Sequence, residues 1–134
     1  MDINGLKRVN DALGHEAGDE LICGAAQCIT QAVGDRGKIF RIGGDEFVVL
    51  GQMTKTQAQK ILAALQRIAA AWSGTKVKTL SISAGCAFAG DHPDFSVERL
   101  TKEADLAMYA RKQEYYRAKK LSSPVPGGNG ARPQ

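Results

Sequence analysis

Arg41-Ile42-Gly43-Gly44-Asp45-Glu46-Phe47, running on into Val48-Val49-Leu50, is the stretch that decides how this chain is read. Residues 38–42 and 47–50 are rich in apolar β-formers, and a Gly-Gly pair between two such runs signals a β-hairpin. The tip carries the unusual chemistry. Two glycines without Cβ let a phosphate approach the backbone closely, and both tolerate positive φ. Two consecutive acids follow at the mouth of an apolar strand. Their carboxylates repel one another, and a divalent cation would compensate them. An ordinary acidic surface turn would show the same residues, so the rest of the chain has to decide.

Length and composition narrow the field. A chain of 134 residues is one domain, and its 43% hydrophobic and 24% charged content is that of a globular one. No apolar run reaches membrane-spanning length and no signal segment opens the chain, which points to a cytoplasmic protein or a cytoplasmic piece of a larger one. Cys23, Cys28 and Cys86 form no CxxC and sit in apolar patterns, so buried free thiols are expected. The net charge of +4 is localised. Arg111, Lys112, Arg117, Lys119 and Lys120 against Glu114 account for all of it, a cationic helix end that complements the macrodipole. Basic residues are not spread over a face with interleaved aromatics, which argues against nucleic-acid binding.

Around the hairpin, helical and strand periods alternate. Residues 1–3 form a strand stub. Leu6, Val9 and Leu13 share a face of a short helix broken at Gly14-His15. A second helix, about 16–33, repeats Leu21, Ile22, Ala25, Ile29 and Val33. After the hairpin, Thr54 caps a third helix with the stripe Ala58, Ile61, Leu62, Leu65, Ile68, Ala69 and Trp72. Residues 77–88 alternate, Leu80, Ile82, Ala84, Cys86 and Phe88 on one face, and predict a half-buried strand. Ser96 caps a last helix, 97 to about 116. The chain to residue 120 is the domain, and 121–134, rich in Ser, Pro and Gly, is expected to be a disordered tail. The order is βαββαβ, an α+β, ferredoxin-like arrangement with an antiparallel central hairpin and helices packed on the sheet. There the end of the first strand lies beside the hairpin, so Asp2 is expected near Asp45 and Glu46, making a three-acid metal site with room for phosphate oxygens.

These residues resemble the GGDEF family of diguanylate cyclases, which join two GTP into cyclic di-GMP. Beyond Gly43-Gly44-Asp45-Glu46-Phe47, the run Asp2-Ile3-Asn4-Gly5-Leu6-Lys7-Arg8-Val9-Asn10-Asp11, with Gly14-His15 and Gly18-Asp19, is similar to the family's second block. Ser81-Ile82-Ser83-Ala84-Gly85 and Ala104-Asp105-Leu106-Ala107-Met108-Tyr109 with Lys112 resemble two more. The resemblance implies a nucleotidyl-cyclase, polymerase-palm-like fold and a cytoplasmic homodimer. It implies Mg²⁺ (or Mn²⁺) held by Asp2, the Ile3 carbonyl and Asp45. Asp45 and Glu46 would handle the attacking hydroxyl's proton. Asn10 and Asp19 would read guanine, and His15 belongs to the same binding block. Backbone around Gly5 and Leu6, with Gly43 and Gly44 at the tip, would admit phosphates, and Lys7 and Lys112 would neutralise them.

Three departures bear on function. The family carries a helix and most of its first strand ahead of the position of Asp2, so the resemblance implies that this domain lacks them and that the parent protein adds upstream sensory or regulatory domains. Missing strand residues would leave neighbouring ladders unpaired. Gly34 and Gly37 stand where the family's inhibitory Arg-x-x-Asp would be, so no feedback site is expected. Tyr116 replaces an expected arginine. A catalytically silent GTP-binding or regulatory module is the alternative these departures keep open.

Overall fold

Among the described residues three glycines with positive φ punctuate the chain: Gly5 (75°), Gly14 (90°) and Gly34 (57°). Gly5 turns the chain out of strand β1 (Asp2–Ile3) into helix α1 (Leu6–Leu13), and Gly14 separates α1 from α2 (His15–Val33). A computed structural model describes residues 1–94 and 96–122. It continues with β2 (Lys38–Arg41), β3 (Phe47–Leu50), α3 (Lys55–Ala71), β4 (Ile82–Ser83) and α4 (Val97–Ser122). Among the described residues the architecture is α+β: four helices and small antiparallel sheets.

All pairing among the described residues is antiparallel. β1 pairs with β4 in the register Asp2↔Ser83 and Ile3↔Ile82, and β2 with β3 from Lys38↔Leu50 to Arg41↔Phe47. A single bridge, Asp2↔Glu46, joins the two pairs through β1 and β3. α2 and α3 pack on one another, and their apolar stripes meet Ile3, Phe47 and Ile82 in one core where Ile29 and Leu65 are wholly inaccessible. Burying a leucine this completely stabilises by about 1.5–3 kcal/mol. Gly24, in the middle of α2, is there for packing. A Cβ on it would stand 2.5 Å from the Trp72 ring. Thr54 caps α3 as its sequence predicts, in a reciprocal capping box with Gln57.

Several expectations need correction. The strand predicted over 77–88 shrinks to Ile82–Ser83, because a strand is only as long as its partner and β1 offers two residues. Leu80, Ile82 and Ala84 are buried as predicted, but Cys86 is exposed. Cys23 is exposed too, and only Cys28 is a buried thiol; all three are free. Leu13 lies 57% exposed, at the end of an eight-residue helix too short to keep a stripe against the core. α4 continues to Ser122, since helix formers follow Tyr116 without interruption. The rest of the expected tail, 123–134, lies outside the described residues. No described helix is long and apolar enough to cross a membrane. Beside Met1, a largely apolar cleft of about 720 Å³ opens between β3, α3 and α4.

Glu20 ties the loop after α3 to α2. Its carboxylate accepts from the Thr75 hydroxyl (2.7 Å) and from the backbone N–H groups of Thr75, Lys76 and Val77 (2.7–2.9 Å). These bonds, Thr75's first, hold its pKa down to about 2 from an ordinary 4.5. A carboxyl held below its unfolded value stabilises the fold above that value, and the contribution fades as pH falls toward the folded pKa. Between pH 4.5 and 2, Tm of the Glu20→Gln variant should therefore fall less steeply than that of the wild type. Parallel slopes in circular-dichroism melts would refute this.

Candidate active site

β1 is too short to hold itself in place, and its neighbours do so. The Ile3 N–H donates to the Asp45 carbonyl (2.8 Å) and the Phe47 N–H to the Met1 carbonyl (2.9 Å). Asn4, 6% exposed, locks the other side: its amide donates to Ser81 Oγ (2.9 Å), and Ser83 Oγ donates to its Oδ1 (3.0 Å). The hairpin tip, 42–46, is closed by Ile42 N–H to the Glu46 carbonyl (3.1 Å). A five-residue loop needs no left-handed residue, so Gly43 and Gly44 do not use positive φ. What they contribute is space. Nothing lies within 4 Å of where a Gly44 Cβ would be.

This pairing brings Asp2 against Asp45 and, from the far end of the chain, against Lys112. Asp2 is 5% exposed. Its Oδ2 takes the Lys112 ammonium at 2.5 Å, and its Oδ1 is buried with no hydrogen-bond partner. Burial pushes the Asp2 carboxyl above its ordinary pKa; Lys112 opposes that and Asp45 reinforces it. Burial works against the Lys112 ammonium, but Asp2, Asp45 and Tyr116 outweigh it and raise its pKa. The Met1 amino group, donating to the Phe47 carbonyl at 2.9 Å, is lowered by burial.

An orphaned, buried carboxylate oxygen beside a second carboxylate is the donor set a hard divalent cation suits. The expected three-acid convergence does not form. Among the described residues no group of three or more His, Cys, Asp or Glu stands close enough to hold a metal. The bridge places Glu46's backbone beside Asp2, whereas its side chain is exposed and lies over Gly43. Asp2 and Asp45 are the carboxylate pair, with the backbone of Ile3 between them.

Gly5 starts α1 in a left-handed conformation, and no side chain caps that helix. Its first N–H groups, from Leu6 onward, are therefore available to an anion. Lys7 is exposed in the same turn. Farther along α1, half-buried Asn10 lies on α2. A Cβ on Gly18 would stand 1.7 Å from Asn10 Oδ1. Asp19 follows Gly18 and is exposed, as is His15 one turn earlier. The site residues thus fall into two neighbourhoods joined by α1: Asp2, Asp45, Lys112 and the Gly5 turn, and Asn10 with Asp19.

Four contributors escape sequence reasoning. Arg41 wraps the hairpin tip, its Nε donating to the Gly43 carbonyl (3.2 Å) and its Nη2 to that of Gly44 (3.1 Å). An arginine just before a Gly-Gly loop with unpaired carbonyls is the available signal. Gly18 makes room for Asn10, and Asn4 orients the strand that carries Asp2. Gly85 lets α4 lie directly on the chain after β4: a Cβ there would meet Met108 N at 2.4 Å and the Ala104 carbonyl at 2.5 Å. That close approach sets where Lys112 enters.

The family model described as "Diguanylate cyclase, GGDEF domain" matches residues 1–117. The chain belongs to the GGDEF family. The diguanylate cyclase DosC of Escherichia coli K12 is 34% identical over 120 residues, covering 84% of this chain and 25% of DosC. The signaling protein YkoW of Bacillus subtilis is 37% identical over 120 residues, 84% of this chain and 15% of YkoW. The chain thus spans a quarter or less of these relatives. Among solved structures, the GGDEF domain of TpbB from Pseudomonas aeruginosa matches with a TM-score of 0.74 at 30% identity, over 84% of this chain and 68% of that one.

Proposed function

We propose that this GGDEF chain is a diguanylate cyclase domain that condenses two GTP into cyclic di-GMP, each 3′-hydroxyl attacking the other nucleotide's α-phosphate and releasing pyrophosphate. The observation that carries the reading is the buried, unpartnered Asp2 oxygen beside Asp45, at a glycine-rich tip next to an uncapped helix. Relatives named as diguanylate cyclases support it. So does the sheet order β4-β1-β3-β2 obtained when the Asp2↔Glu46 bridge is counted, which is that of a ferredoxin-like, polymerase-palm-like sheet.

Asp2, the Ile3 carbonyl and Asp45 would hold Mg²⁺ or Mn²⁺, which neutralises charge developing at the α-phosphate. The N–H groups following Gly5, the side chain of Lys7 and the open backbone at Gly43 and Gly44 receive phosphate oxygens. Asp45 or Glu46 takes the 3′-hydroxyl proton. Asn10 lies about 6 Å along α1 from Leu6, at 1.5 Å rise per residue, so one nucleotide can bridge from phosphate turn to base pocket. There the Asp19 carboxylate accepts from guanine N1–H and the exocyclic amine, which adenine lacks in that pattern, with His15 at the pocket's edge. Two bonds must form between two nucleotides, so one GTP on each of two subunits must face the other, and the working form is a homodimer. The domain acts in the cytoplasm, joined to regulatory domains of a longer protein. A catalytically silent GTP-binding module is the second reading, favoured by Tyr116 standing beside Lys112 where the family carries an arginine.

The test is cyclic di-GMP formation from GTP and Mg²⁺, on this chain and on one extended upstream through the family's first strand. Product from either supports the cyclase. An extended chain that folds and binds GTP without product is the silent module. Gly18→Ala probes the base pocket separately. The side-chain end of Asn10 can rotate away from the new methyl, so stability should change by less than about 1 kcal/mol while the KM for GTP rises about tenfold. An unchanged KM would remove Asn10 from the pocket.

A further inference from the structure

Lys112 has two anionic partners to serve and one ammonium. In the fold it is spent on Asp2 Oδ2 at 2.5 Å, leaving Asp2 Oδ1 bare, while the proposed chemistry wants both a divalent cation on Asp2 and a counter-charge on the triphosphate. We infer that Lys112 is an exchangeable internal cation. It occupies Asp2 when the site is empty, and nucleotide phosphates draw it away, so that metal and nucleotide bind cooperatively. This rests on the proposed assignment of Asp2 and Asp45 as the metal's carboxylates.

The geometry favours exchange. Asp2 is fixed: its side chain is 7% exposed and it sits on β4, with its neighbours Met1 and Ile3 bonded to the other side. The Lys112 side chain is 24% exposed, at the end of a flexible four-carbon stem, so its ammonium can swing without moving α4. Removing it with nothing in return strands a buried carboxylate beside Asp45, which is costly. A divalent cation approaching the bare Oδ1 without nucleotide meets the ammonium on the other oxygen of the same carboxylate, and repelling it leaves it uncompensated in a half-buried position. With nucleotide present, the triphosphate takes the ammonium and the cation takes the carboxylates, so both charges remain paired. Linkage then requires each ligand to raise the other's affinity by the same factor.

Lys112 is thus a positioning residue for the metal as well as a phosphate contact. The probe is Mn²⁺, followed by electron paramagnetic resonance of the free ion, with and without a non-hydrolysable GTP analogue. Wild type should bind Mn²⁺ weakly alone and about tenfold more tightly with the analogue. Lys112→Met should bind Mn²⁺ alone about tenfold more tightly than wild type, and the gain from the analogue should shrink by the same factor. Lys112→Arg keeps the charge and should follow wild type. Lys112→Gln replaces the methionine variant if circular dichroism shows that the latter misfolds. Equal Mn²⁺ affinity of wild type and the neutral variants overturns the exchange while leaving the metal site standing. If wild type and neutral variants bind Mn²⁺ no better than Asp2→Asn, the site assignment falls, and the inference with it.

Discussion

Cyclic di-GMP formation should fall by about 10³-fold in the Asp45→Ala variant, with the fold intact. In the proposed mechanism Asp45 supplies one of two carboxylates at the reacting centre. Its carbonyl, which anchors Ile3, belongs to the backbone and survives the substitution. Its carboxylate raises the Asp2 pKa, so it opposes the ionised form of Asp2. Removing it relieves repulsion with Asp2 and gives up its attraction for the Lys112 ammonium, so Tm should stay level. Turnover and thermal unfolding measured on the same preparation check both halves. Retained turnover would remove Asp45 from the chemistry. A Tm drop of several degrees would show that the carboxylate carries a structural contact.

Gly85→Ala should do the reverse, acting through the fold. The added methyl would stand 2.4 Å from Met108 N and 2.5 Å from the Ala104 carbonyl, both backbone atoms that cannot rotate aside. α4 must lift from β4, at a cost of about 3 kcal/mol, or about 10 °C in Tm for a domain this size. Lys112 moves with the helix, so the Asp2 pair weakens in whatever fraction still folds. Thermal melts settle the first effect, and a Tm within about 2 °C of wild type would contradict the close packing.

What the sequence discloses here is mostly local. The hairpin, α1, α2 and α3 are written in period and glycine placement, and Thr54 with Gln57 announces its own cap. Meetings between distant segments are not written. Nothing near Lys112 in sequence says that its ammonium lies on Asp2, because that contact depends on how Gly85 seats α4. Residues 77–88 have perfect alternation, yet only Ile82 and Ser83 find a partner. Pattern supplies the tendency, and the neighbouring strand sets the length. Cys86 shares the alternation of buried Leu80, Ile82 and Ala84 and still faces solvent, whereas Cys23 has apolar neighbours in sequence but lies off the buried stripe of α2.

The Asp2–Lys112 pair joins residues 110 positions apart, and Asp2 also meets Ser83 and Glu46, both far from it along the chain. Closing such loops costs chain entropy before any contact repays it, so high-separation contacts form late in folding. The α1–α2 hairpin and the β2–β3 hairpin can form early from neighbouring residues. Asp2, Asp45 and Lys112 come together only when these distant segments arrive. A partly folded or clipped chain can therefore keep most of its helix and lose its carboxylate pair, so the proposed nucleotide and metal binding would be a stricter assay of complete folding than circular dichroism.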